Sequence, residues 1–381
     1  MQGLRKTGGQ FGHFLPMGEF LDHHDELVTA QALHRTDLMP DVDTQVSASI
    51  GVALFPEHGR EMGTLLKNAD AAMYQAKRDG RNQFSFFNPL RYERAAREVQ
   101  LGIDLLKALQ LETSQFLIHY QPQVEMSSGR VIGLEALIRW NHPRHGLLGP
   151  EHFIGVAEVS GLSERITRWV MHEVCSQILR WRQVRAGFDI PISVNVAGRE
   201  LGLSVLPGLV RSALVAHAIE ASMIVLEITE RTLVTEGDIN NDVMTELASL
   251  GIGLALDDFG TGYSTLGYLK RMPIQSLKID QSFIVGVPDD ADSCAIVHAM
   301  LAVARHFRLK VIAEGVERLD QVEYLRSIGC EYAQGFRFAR GLSPETILDF
   351  LARAPDTLSP QPPAPPRAAA ALPAPRAPAP E

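Results

Sequence analysis

No run of 18 or more apolar residues occurs anywhere in the 381-residue sequence, so nothing in it has the signature of a membrane-spanning helix. The opening Met1–Lys6 lacks the apolar core of a secretory signal, which makes the cytoplasm the expected compartment. Cysteine is scarce. Cys175, Cys294 and Cys330 are far apart in apolar or helical surroundings, a distribution of reduced core thiols rather than of a disulfide frame or a zinc site. Positive charge is in deficit, with 36 Lys and Arg against 45 Asp and Glu and a net charge of −9. That balance argues against a DNA or RNA polymer as partner, and a phosphate-bearing ligand would need cations as intermediaries. The pattern G-x-x-x-x-G-K-[ST] is also missing, so the glycines of Gly260-Thr261-Gly262-Tyr263 are not a P-loop.

What is present is a series of β-branched apolar runs that stop at acidic or amide side chains. Ile192–Val196, Ile224–Glu227, Leu254–Asp258 and Val311–Glu314 read as buried parallel strands, since a strand covered on both faces need not alternate polar with apolar residues. Amphipathic stretches separate them, at Arg165–Trp181, Leu206–His217, Ile239–Leu250, Ala291–Phe307 and Leu319–Ile328. Strand-helix alternation of this kind predicts an α/β fold with a parallel sheet and crossover helices, and in a (β/α)8 barrel the strand C-termini all open on the catalytic face.

Composition divides the chain further. Residues 1–88 carry a small α+β piece, with a strand at Ser47–Pro56 and a helix at Met62–Lys77, too few elements for an independent core. Residues 89–112 hold a connecting helix, apolar at helical spacing over Leu90–Leu111. It either packs on its neighbour domain or orients a dimer and transmits strain. Residues 113–353 hold the strand-helix series, and the Pro/Ala-rich residues 354–381 bury too little apolar surface to order themselves.

Two resemblances follow from quoted segments. Ser49–Pro56, Ala69–Lys77 and Gly80-Arg81-Asn82 resemble the C-terminal half of a GGDEF (diguanylate cyclase) domain. Gly8-Gly9-Gln10-Phe11 stands near where its signature loop would be, without the acidic residue that such a loop gives to a metal, so no cyclase activity is expected. From about residue 98 onwards, the ordered segments Tyr120-Gln121-Pro122, Glu135-Ala136-Leu137-Ile138-Arg139-Trp140, His142-Pro143, Ala157-Glu158, Asn195, Glu227-Ile228-Thr229-Glu230, Asp257-Asp258-Phe259-Gly260, Lys278-Ile279-Asp280, Glu314-Gly315-Val316-Glu317 and Gln334-Gly335-Phe336 resemble an EAL-type cyclic di-GMP phosphodiesterase domain. The resemblance implies a modified (β/α)8 TIM-like barrel preceded by a GGDEF-like fragment, and hydrolysis of cyclic di-GMP to linear 5′-pGpG.

The residue types support metal chemistry independently of that resemblance. Oxygen donors from Glu135, Asn195, Glu227, Asp257 and Asp258 suit Mg²⁺ or Mn²⁺, whereas zinc favours His or Cys. Adjacent aspartates can reach two ions, the arrangement used for in-line displacement at phosphorus. His142 and His145, with Pro143 between them on a loop, lack a spacing that aims both rings at one ion and are read as structural. The resemblance assigns Glu135, Asn195, Glu227 and Asp257 to one ion, and Asp257, Asp258 and Glu314 to the second or its water. It also implies a catalytic Lys278, substrate contacts from Gln121, Arg139 and Gln334, a loop-anchoring Glu230 and a homodimer. Two positions depart from the family pattern: Ala197 stands where a Ser is usual and Gly341 where a Pro is usual. A catalytically silent cyclic di-GMP receptor is the competing reading, and such receptors generally lose metal ligands that are all present here. An unrelated amidohydrolase-like barrel would favour a His-x-His pair, which the strand ends lack.

Overall fold

The structure is a computed structural model that describes residues 6–7, 10–11, 28–31, 48–110, 115–196, 198–202, 205–230, 232, 237–261 and 269–353. By internal contacts the chain forms two compact units, Met1–Asp104 and Leu105–Glu381.

In the first unit, β1 (Lys6–Thr7) pairs antiparallel with β2 (Gln10–Phe11). A separate sheet places β3 (Val28–Gln31) antiparallel and β5 (Phe84–Phe86) parallel to the central β4 (Ile50–Leu54). The helix α1 (Met62–Arg78) turns Leu65, Ala69 and Ala72 inward at spacings of one helical turn, where they meet Ala53 and Phe87. β4 is shorter than the Ser47–Pro56 run suggests. It ends where the His58 ring, through Nδ1, accepts the Leu54 N–H at 2.9 Å and takes that donor out of the ladder. Gly8 and Gly9, half of the expected degenerate loop, lie outside the described residues. The helix α2 (Pro89–Gln110) begins with the Asn88 side chain accepting the Arg91 N–H at 3.1 Å and runs across the division between the units.

The second unit is an eight-stranded closed barrel. β6 (Phe116–Glu125) and β7 (Val131–His142) form a hairpin, with β8 (Gly146–Leu148) added to β7. There follow α3 (Pro150–Val159), α4 (Ser163–Val184), β9 (Ile192–Val196), α5 (Gly198–Gly202), α6 (Leu206–His217), β10 (Ile224–Thr229) and α7 (Gly237–Ser249). β11 (Gly253–Phe259), β12 (Ser276–Ile279), α8 (Gln281–Ile284), α9 (Ala291–Phe307), β13 (Lys310–Ala313), α10 (Leu319–Ser327), β14 (Tyr332–Ala333) and α11 (Pro344–Arg353) complete it. The strand order β6-β14-β13-β12-β11-β10-β9-β7 closes through a β6–β7 pairing. β7 and β9 to β14 run parallel, while β6 is antiparallel to both of its neighbours. That inversion is the modification of the all-parallel barrel. It arises because the short segment 126–130 joins β6 to β7, and so short a connection permits only antiparallel pairing. Among the described residues, no helix is long and apolar enough to cross a membrane.

Strand alternation explains how polar residues come to be buried beside apolar ones. Leu134, Leu226, Leu256 and Leu277 are fully buried, and each precedes a buried charged residue: Glu135, Glu227, Asp257 and Lys278. Successive side chains point to opposite faces of a strand. The leucines therefore fill one face of the barrel wall, and the four charged groups share the other.

Candidate active site at the barrel mouth

Lys278, 1% exposed, is the centre of that charged face. Its Nζ lies 2.7 Å from Glu227, 2.7 Å from Glu314, 3.3 Å from Asp257 and 3.4 Å from Glu135. The backbone reason is a common level around the barrel. Glu227 on β10 pairs in register with Asn195 on β9, Asp257 on β11 pairs with Thr229 just beyond Glu227, and Glu314 follows the last residue of β13. Asn195 donates from Nδ2 to Glu135 at 2.7 Å. Gln334, just after β14, donates to Glu135 at 2.5 Å and to Gln121 at 3.1 Å, and Gln121 is the register partner of Glu135 across the β6–β7 hairpin. Gln121 in turn donates to the Ala339 carbonyl at 3.0 Å.

Four carboxylates around one ammonium leave an excess of negative charge in a low-dielectric setting, and protonation relieves it in the metal-free protein. Burial pushes Glu227 up to about 8, and the charges of Glu135 and Asp257 add to that rise against the pull of Lys278. Burial likewise raises Glu314, with Asp257 and Glu135 reinforcing it. Glu135 goes the other way: burial alone would raise it, but the Lys278 ammonium and the hydrogen bonds from Gln334 and Asn195 hold it below the usual carboxylate range. Lys278 is held charged well above its ordinary value because Glu135, Glu227 and Glu314 outweigh its desolvation.

Asp257, Asp258 and Glu314 bring ligand oxygens within 4.8 Å of one another, the one such acidic group among the described residues. Asp258 reaches it from an unusual backbone, with φ of 54° at a non-glycine residue, a left-handed conformation that Asp tolerates better than most side chains. Burial raises its carboxyl, with Asp257 and Asp280 adding to the shift. An all-oxygen set with excess negative charge fits hard divalent cations. Among the described residues, the buried Oε1 of Gln334 has no hydrogen-bond partner, while its Nε2 donates to Glu135.

Arg139 sits on β7 four residues after Glu135 and on the same face, half-buried, with one N–H on the Ile138 carbonyl. Glu230, 2% exposed, follows β10 and accepts the Gly260 N–H at 2.8 Å, which ties the end of β10 to the end of β11. Gly262, Tyr263 and Ser264, beyond that anchor, lie outside the described residues, as does Ala197. His142 uses Nδ1 to accept the backbone N–H of Arg144 and of His145, which ties down the turn that follows it. Burial pushes the Cys175 and Cys330 thiols up to about 12, leaving them inert. One residue of the cluster was not singled out in the sequence. Gln123 donates to Glu227 at 3.5 Å, and its place two residues after Gln121, on the same strand face, is the signal that could have found it.

Residues 104–341 match the EAL domain family, and residues 20–83 match the diguanylate cyclase GGDEF domain family. Among curated proteins, the bifunctional diguanylate cyclase/cyclic di-GMP phosphodiesterase MucR of Pseudomonas aeruginosa is 43% identical over 80% of this chain and 44% of its own length. Cyclic di-GMP phosphodiesterase NbdA of the same organism is 38% identical over 89% of this chain and 43% of its own. This chain thus spans under half the length of those relatives. Among solved structures, the PaMucR phosphodiesterase in complex with c-di-GMP is 42% identical with a TM-score of 0.62, over 65% of this chain and 99% of that one. The barrel, its ring of carboxylates and these matches agree: the chain belongs to the EAL domain family, and a partial GGDEF domain precedes its barrel.

Proposed function

We propose that this chain hydrolyses cyclic di-GMP to linear 5′-pGpG with two divalent ions, Mg²⁺ or Mn²⁺, as a phosphodiesterase of bacterial second-messenger signalling. The observation that carries the reading is the convergence of Glu135, Glu227, Asp257 and Glu314 on Lys278 at the barrel mouth. The guanine dinucleotide comes from the relatives, whose names include cyclic di-GMP phosphodiesterase.

Glu135, Asn195, Glu227 and Asp257 would hold one ion, and Asp257, Asp258 and Glu314 the second or its water. Bound there, the ions supply the Lewis-acid charge that makes water a nucleophile at neutral pH and stabilises the attacking and leaving oxygens of the displacement. Lys278 places a permanent positive charge beside the same carboxylates, where it orients the attacking water and offsets charge developing on the phosphate. Arg139 offers a planar donor fork to a phosphate or guanine edge, and Gln121 and Gln334 offer amide groups to the ligand from the same face. Glu230 accepts the Gly260 N–H and so keeps Gly260 in register with the aspartates.

Wild type and Glu135→Ala incubated with cyclic di-GMP and Mn²⁺, with and without chelator, test the proposal by product analysis. Metal-dependent appearance of pGpG in the wild type alone is expected. Binding without cleavage would establish the silent-receptor reading, and neither binding nor cleavage would remove the substrate assignment. In the same reading the protein is a cytoplasmic homodimer. Light scattering that shows a strictly monomeric, fully active protein would remove the dimer.

A further inference from the structure

Glu200 has no part in the chemistry above, yet it is 2% exposed and is the third residue of α5, four residues after the end of the Asn195 strand. α5 has only five residues, too short to hold itself, so tertiary contacts decide where it sits. On one side, Thr167 of α4 donates its hydroxyl to Glu200 Oε1 at 2.8 Å. On the other, α5 closes tightly on the segment after β10: a Cβ on Gly198 would come 2.6 Å from Thr232 Oγ1, and that hydroxyl is itself 3.0 Å from Thr229 Oγ1. The helix is therefore wedged between α4 and the end of the strand that carries Glu227.

Among the described residues, Glu200 Oε2 is buried and has no hydrogen-bond partner. A bare carboxylate with one neutral donor and one unpartnered oxygen would be strongly disfavoured there, and a neutral acid much less so. Among the described residues, the charges that act on it share its sign: Glu164 on α4 and Glu158 on α3. α7, packed against α5, carries the acidic Asp242 and Glu246, the latter paired with Arg211. Among the described residues no ion pair reaches Glu200. Burial pushes its carboxyl up to about 7, with Glu164 and Glu158 adding to the rise and the Thr167 hydrogen bond opposing it.

We propose that Glu200 is a positioning residue that seats α5, and through it the Asn195 end of β9, only while it carries a proton. Ionised, the side chain draws α5 toward water, the wedge between Thr167 and Thr232 loosens, and the Asn195–Glu135 hydrogen bond slackens with it. For its catalytic consequence the proposal rests on the phosphodiesterase reading; for its structural consequence it does not. The sign follows from linkage: the folded-state value of about 7 lies above the unfolded carboxyl near 4.3, so the stabilising contribution is complete below the unfolded value and lost as pH rises through 7.

Glu200→Gln fixes the neutral form at every pH, and Glu200→Ala removes the Thr167 contact at every pH. Thermal melts of the full chain in chelator are expected to show the Gln variant matching wild type at pH 5.5 and melting higher at pH 8.5, with the Ala variant lower than Gln throughout. In Mn²⁺, the ratio of wild-type to Gln-variant kcat should fall by several-fold between pH 6 and 8.5. A melting difference and a rate ratio that stay constant across this range would overturn the proposal, as would a Gln variant that melts with Ala. Absence of cleavage in every protein would remove the phosphodiesterase reading instead, and the melts in chelator would still decide the role of Glu200.

Discussion

At the scale of single residues, Lys278 is a built-in cation for a site short of positive charge. Lys278→Met keeps most of the side-chain volume but removes the ammonium, leaving four carboxylates to repel one another at low dielectric. Turnover is expected to drop by roughly 10²–10³-fold, the range seen on removal of one electrostatic stabiliser, with a much smaller change in ligand affinity. Equal turnover in a product assay would eliminate the role. Asp258 offers a sharper separation of charge from backbone. Asp258→Asn keeps a residue that tolerates φ of 54°, so the fold should melt as wild type while cleavage is lost. Asp258→Ala should lose about 1–2 kcal/mol more in denaturant titration, because an alanine has no such tolerance. The acid–base behaviour is also testable. Glu227, at about 8 in the metal-free protein, lies above its unfolded value, so its contribution to stability is complete at low pH and declines as pH rises through 8. Melting temperature in chelator should therefore fall from pH 5.5 to 8, and Mn²⁺ should reverse that trend because the ions displace protons. A melting temperature in chelator that rises over this interval would contradict the account.

Among the elements, the strand ends are joined by two kinds of tie: side-chain hydrogen bonds, as from Glu230 to Gly260, and close backbone contacts. Gly335 is of the second kind. A Cβ there would fall 2.2 Å from the Val316 carbonyl oxygen and 2.3 Å from its nitrogen, so Gly335→Ala must push the segment after β14 off the segment after β13. Gln334, one residue earlier, would lose its aim at Glu135. Both stability and cleavage should fall, and an alanine variant with wild-type melting and turnover would contradict this packing. Much of this framework is readable in the sequence. Leu206–His217 and Ala291–Phe307 are helices over the spans that apolar spacing marks, and Leu254–Asp258 lies within β11. The direction of β6 is not readable from its side chains, since a buried strand has the same pattern whichever way it runs. Its cue lay outside the strand, in the short Met126–Arg130 segment with Gly129, which reads as a hairpin connection. Gln123 and Glu200 escaped for a related reason. An amide within an apolar strand and a carboxylate on a short helix bond partners more than thirty residues away, and for Gln123 the spacing from Gln121 is the one local cue.

For the whole molecule, two features bear on function. The first unit retains one small helix-on-sheet core, and the segment resembling a signature loop lacks the acid that a cyclase needs. Incubation with GTP and Mg²⁺ should give no sustained cyclic di-GMP; its formation would reverse that assignment. The barrel concentrates anionic oxygens at one mouth and brings a single lysine to meet them, an arrangement that makes chemical sense once divalent cations complete the charge balance. Titration of Mn²⁺ into the chelator-treated protein by calorimetry, in two buffers of different ionisation enthalpy at pH 7, measures this directly. Two ions per chain are predicted, taken up with release of protons, and both lost in Asp257→Asn. Failure to bind, or binding of the same stoichiometry in the variant, would contradict the central claim that these carboxylates exist to hold the catalytic ions.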